Sequence, residues 1–212
     1  CSSDLRRLRV VEGAGGTYAL LSGDMLVFGP GKTGQLGAVE EGSSDQLATF
    51  HGNHMIVTAT RSYLHSDTEV TALDRAMYLA LARERRRLST EQSTLNKKLK
   101  QAGKNGSDDT TTGEMKARLT EIGKKIDEAT AGMDRCQLWQ AASTWPHGMI
   151  LAGETLVLGG RNEVAGIRTS DGKVAWRVPV DGIAHGLAAS AGALYVSTDT
   201  GALHRLGASK GR

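Results

Sequence analysis

The sequence is short of aromatic residues, with two Phe, four Tyr and three Trp in 212 residues, and it has only three prolines and two cysteines. Two thiols make neither a disulfide framework nor a four-thiolate zinc site. No apolar run approaches the roughly 18 residues of a membrane-crossing helix. G-x-x-x-x-G-K-[ST], H-E-x-x-H and C-x-x-C are all missing. That removes the phosphate-loop, zinc-protease and dithiol signatures. GPGKTG at 29–34 has the wrong spacing for a phosphate loop. It also lies between two strand-like runs, whereas such a loop must open a helix, so it reads as a hairpin turn. The composition excludes collagen-like, disulfide-dense and wholly disordered chains.

What is abundant is glycine. Twenty-seven glycines imply many tight turns, which favours β structure. Charge is unevenly placed. Residues 75–135 hold 14 Lys/Arg against 9 Asp/Glu, a net of +5, and the rest of the chain nets −2. The pI near 8.9 therefore belongs to one segment and does not point to a specific nucleic-acid partner. The chain divides accordingly into 1–74, 75–135 and 136–212.

The basic segment carries helical periodicity. Tyr78, Leu81, Arg85, Leu88, Gln92, Leu95, Leu99 and Ala102 form one series; Met115, Leu119, Ile122, Ile126, Ala129 and Met133 form a second. Steps alternating between three and four predict a heptad seam. The Gly-, Asp- and Thr-rich run 103–113 between them predicts a break. The expectation is an antiparallel coiled-coil hairpin of about three to four turns per arm, or slightly more. The run RERRR at 83–87 reads as a solvated helix face, or as a patch for an acidic partner.

The remainder repeats. Segments 18–39, 55–74, 148–168 and 186–206 each read as strand, short turn, strand, polar turn, strand. Gly153 to Gly192 is a period of 39, and Trp139 to Trp176 one of 37. A period near 40 with three to four short strands per unit predicts β-propeller blades. Without the insertion the chain is too short for four full blades, so the fold expected is mainly β: a partial propeller of about three to four blades, with the helical hairpin inserted in one of them.

The unit closing on SDGKVAWRVPV carries a more specific likeness. Gly166, Arg168, Asp171, Gly172, Lys173 and Trp176 resemble the repeat A-x-D-x-x-T-G-K-x-x-W of pyrroloquinoline-quinone-type (PQQ-like) propellers. Arg168 and Asp171 depart from it. Ala72 and Asp74 begin the same motif, which reaches its tryptophan only at Trp139, beyond the basic segment. The whole arrangement resembles PQQ-like propeller proteins of environmental, planctomycete-type bacteria. The resemblance implies a periplasmic or otherwise extracytoplasmic location and membership of a longer chain or a homo-oligomer. A further likeness, to the propeller lipoproteins of the outer-membrane assembly machinery, would make Cys1 a lipidated terminus; Cys1 is equally the first residue of a fragment.

Two functions follow. One is a non-catalytic binding or assembly scaffold with a protein partner, since propeller faces and helical seams both present surfaces. The alternative is a component of a quinone- or metal-dependent oxidoreductase using PQQ or a divalent metal. The family's quinone enzymes imply a pair of adjacent cysteines, which Cys1 and Cys136 are not. Asp24, Asp67, Asp181 and Asp199 read as turn-capping residues. His54, His147 and His185 precede the first strand of three successive units and are the candidate metal ligands; strand capping by hydrogen bonds is the competing reading. His51, His65 and His204 share no such pattern and are expected at the surface or in turns.

Overall fold

A computed structural model describes residues 16–23, 25–29, 34–40, 43, 45–104 and 109–207. Cys1, Asp24 and most of the GPGKTG turn lie outside them. The first sheet is β1 (Tyr18–Ser22), β2 (Met25–Gly29), β3 (Gln35–Glu40) and β4 (Gln46–His51), in chain order and antiparallel throughout. The second is β5 (His54–Val57), β6 (Arg61–His65), β7 (Glu69–Asp74) and β8 (Gln137–Ala142). Two helices, α1 (Arg75–Lys104) and α2 (Asp109–Asp134), follow one another between β7 and β8.

The third sheet has six strands, in the order β14-β13-β12-β11-β10-β9. These are β9 (Gly148–Ala152), β10 (Thr155–Gly159), β11 (Arg161–Arg168), β12 (Val174–Ser190), β13 (Ala193–Thr198) and β14 (Leu203–Gly207). β12 is one 17-residue strand with two partners. Val174–Pro179 and Ile183 pair with β11, and Ala184–Ser190 pairs with β13. It therefore ends a third repeat unit and begins a fourth.

The expected fold is corrected here. Three to four separate PQQ-like blades do not form; the described residues make sheets of four, four and six strands, because β12 runs unbroken from one unit into the next. Nor is an inserted coiled-coil hairpin evident. Of the predicted seam, only Leu88, Ile122, Ala129 and Met133 are buried, while Leu95, Leu99, Ala102, Met115, Leu119 and Ile126 are only partly covered. The helices are also longer than expected, at 30 and 26 residues, and include Gly103 and Gly113 from the predicted break. What remains is a propeller-like β fold with two helices.

The core explains how they attach. One apolar cluster joins Val27, Leu36, Phe50 and Met55 of the first two sheets to Leu79 and Ala82 of α1 and Met133 of α2. A second packs Tyr63, Val70 and Ala72 against Leu156, Leu158 and Ile167. A third, around Val157, Val164, Val180 and Val196, lies within the six-stranded sheet. β2 buries alternate side chains, whereas β3, β6, β10 and β11 each bury four in a row, as strands covered on both faces do. Asp74, a repeat residue, serves as the N-cap of α1: its Oδ1 accepts the Met77 N–H at 2.9 Å. Beyond the core, α1 and α2 are tied by Arg118, whose guanidinium donates to Glu91 Oε1 at 2.7 and 2.9 Å.

Candidate functional site

The repeat residues meet at the junction between the second and third units. Trp139, on β8, donates its Nε1–H to the Thr169 carbonyl at 2.9 Å. Its ring lies against Gly172, where an added Cβ would stand 2.6 Å from Trp139 Cε3. Gly172 also has φ of +72°, so glycine is required twice over. The two departures from the repeat pattern are partners. Arg168 donates to both Asp171 carboxylate oxygens, at 3.1 and 2.9 Å, and holds that carboxyl down at a pKa of about 2, helped by the Lys173 N–H. Arg61 reaches the same Thr169 carbonyl at 3.1 Å.

Trp176 occupies the equivalent position one unit later, opposite Gly166 as Trp139 is opposite Ala72. Its ring covers Gly166, whose Cβ would be 2.2 Å away. On its other side is an open apolar groove lined by Trp176, Val178, Gly192, Leu194, Leu206 and Gly207. Beside the groove runs β14, which is the end strand of its sheet among the described residues. Leu203 on β14 is 72% exposed.

The three candidate histidines do not form one cluster. His54 sits on β5 directly across from His65 on β6, with ring centroids 5.8 Å apart and planes at 25°. His147 and His185 form a second pair, 5.2 Å apart at 61°. His54 hydrogen-bonds the Pro146 backbone and feels the His147 charge, so the pairs are neighbours. Among the described residues no three His, Cys, Asp or Glu side chains are grouped to hold a metal ion.

The surface-or-turn expectation for His65 is corrected: it is fully buried, because β6 is covered on both faces and Ser62 through His65 are all buried. Its Nε2 lies 3.3 Å from Ser143 Oγ, and its Nδ1 has no partner. Burial first, then the His54 charge, lowers its pKa to about 4, with Asp67 opposing. Burial likewise lowers His54 and His147; His185 and Arg161 add to the effect at His147, while Asp199 and Asp67 oppose it. His204 is half-buried with an unpartnered Nε2. A hairpin register would have found the His54–His65 pair, since residues 54 and 65 are symmetric about the β5–β6 turn. Of the turn carboxylates, Asp67 accepts from Asn53 Nδ2 and Asp199 from the Ile183 N–H. The Cys136 thiol is buried and donates to the Gly132 carbonyl, with its pKa raised by burial.

No family model and no curated protein matches this sequence. Solved structures of similar fold include the following three. BamB from Moraxella catarrhalis, a β-propeller, matches at 13% identity with a TM-score of 0.51, over 90% of this chain and 42% of that one. The computationally designed Ika4 protein matches at 9% identity with a TM-score of 0.57, over 94% of this chain and 96% of that one. Hsv2 from Kluyvelomyces marxianus matches at 8% identity with a TM-score of 0.52, over 92% of this chain and 49% of that one. This chain thus spans less than half the length of BamB and of Hsv2. At these identities the likeness is one of fold alone, and it fits a β-propeller class. No helix of the described residues is long and apolar enough to cross a membrane.

Proposed function

We propose that this chain is a non-catalytic scaffold of the PQQ-like β-propeller type that binds a protein partner by strand addition at β14. The observation that carries the reading is the apolar groove beside β14, lined by Trp176, Leu194 and Leu206, with Leu203 of that strand exposed. Units one to three each end in a fourth strand: β4, β8 and the first half of β12. Among the described residues the fourth unit has three, and β14 is the end strand of its sheet, next to the apolar groove at Trp176. An open strand edge beside exposed apolar side chains is a template for an incoming extended segment. Extracytoplasmic placement belongs to the same reading.

A photo-crosslinking side chain at position 203, with one at Leu138 on β8 as control, tests the docking edge. Position 203 should trap a defined protein segment, position 138 should not, and Arg205→Pro in the position-203 reporter should abolish the trap. Proline removes a β14 backbone donor and disfavours strand pairing. Equal trapping at both positions, or trapping that survives Arg205→Pro, would overturn the proposal.

A further inference from the structure

Two imidazoles from adjacent repeat units meet outside that docking edge. His147 stands just before β9 and His185 on the second half of β12. Their backbones are closely held. The His147 N–H donates to the Gly159 carbonyl at 2.9 Å. A Cβ at Gly148 would stand 3.0 Å from the His185 carbonyl oxygen, and one at Gly159 would stand 2.2 Å from that of Ala184. Glycine is used here because two backbones approach closely.

The spacing suits a shared ion. Metal–nitrogen bonds of about 2.0–2.1 Å leave two imidazole ring centres roughly 5–6 Å apart when one ion sits between them. The centroids of His147 and His185 are 5.2 Å apart, and planes at 61° allow an in-plane nitrogen from each to turn to one point. His185 is exposed, so water can complete the coordination. The other pair is less suited: its rings are nearly parallel, and His65 Nε2 is engaged with Ser143.

We propose that His147 and His185 form a two-imidazole site for a late first-row divalent metal ion, which clasps the third repeat unit to the fourth. Imidazole is the ligand this class of ion favours. The neutral form of imidazole is the one that coordinates. Arg161 opposes a cation here and Asp199 favours one, though Asp199 Oδ1 is already held by the Ile183 N–H. Three ligands from one point are not required, in keeping with the absence of any three-residue metal group among the described residues.

Nickel titrated calorimetrically into the full 212-residue chain at neutral pH should saturate at one ion per chain. His147→Gln and His185→Gln should each weaken binding by roughly tenfold or more. His51→Gln should leave it unchanged. Nickel should also raise the melting temperature of the unsubstituted protein and not that of either variant, since an ion bound only to the folded state stabilises it. With copper(II) as the probe, the electron paramagnetic resonance spectrum should show two imidazole nitrogens. No saturable binding, binding that both glutamine variants retain, or a single-nitrogen spectrum would overturn the proposal. If His147→Gln does not fold, the exposed His185→Gln carries the test alone.

Discussion

Trp139 and Trp176 hold the same repeat position and have different surroundings. Trp139 closes the junction between the second and third units: its indole is hydrogen-bonded to Thr169 and stacked on Gly172. Trp176 covers its own unit's Gly166 and leaves an apolar groove open beyond. The sequence motif is shared; the tertiary partner is not. A repeat residue thus specifies its own strand pairing, while its contribution to stability depends on whether the next unit supplies the carbonyl and the glycine that meet it.

The largest effect should come from the closed junction. Trp139→Ala should cost about 3 kcal/mol, and Trp176→Ala about 1 kcal/mol, by urea unfolding. Equal costs would erase the distinction between the junctions. Glycine substitutions sharpen the same contrast. Gly172→Ala adds a clash with Trp139 to a left-handed backbone and should cost about 2–4 kcal/mol. Gly153→Ala, with φ of +59° and open space around it, should cost about 1 kcal/mol through the backbone alone.

His65 gives the closed side of the molecule a pH dependence. Its folded pKa of about 4 lies below the ordinary 6.5. Above pH 6.5 the residue is neutral in both states and the effect vanishes. Between 6.5 and about 4 the unfolded chain takes up a proton that the folded one refuses, so stability falls as pH falls. Urea midpoints measured across this window should therefore drop more steeply for the natural protein than for His65→Gln. Parallel curves would remove the assignment. A smaller loss, about 1 kcal/mol, is expected for Asp74→Ala, which uncaps α1. The smallest is Arg83→Ala: its ion pair with Glu40 is exposed, and thermal unfolding should register under about 0.5 kcal/mol.

Much of this was legible in the sequence. The apolar runs at 18–39, 55–74, 148–168 and 186–206 each became three strands, and Trp139 and Trp176 fell opposite the small residues Ala72 and Gly166, as their spacing suggests. Local periodicity and turn residues fix such features. The continuity of β12 was not legible, because Asp181-Gly182 reads as a turn and is instead absorbed by a register shift between Arg161 and Glu163 on β11. Nor was the burial of His65. Its neighbours Ser143 and His147 come from another strand's end and another unit, so nothing within a short window of sequence marks it. The Arg168–Asp171 pair was visible only as two departures from a pattern; three residues apart around a turn, they satisfy one another.

The unbroken β12 has a mechanical consequence. Where other units are joined by a turn, the third and fourth share one strand of 17 residues, with Gly182 in the left-handed region between its two halves. A load applied at the β14 edge passes through β13 into that strand, and so along the backbone toward the Gly166–Trp176 contact. A pull on β14 is therefore carried by one covalent strand to a tryptophan a whole unit away.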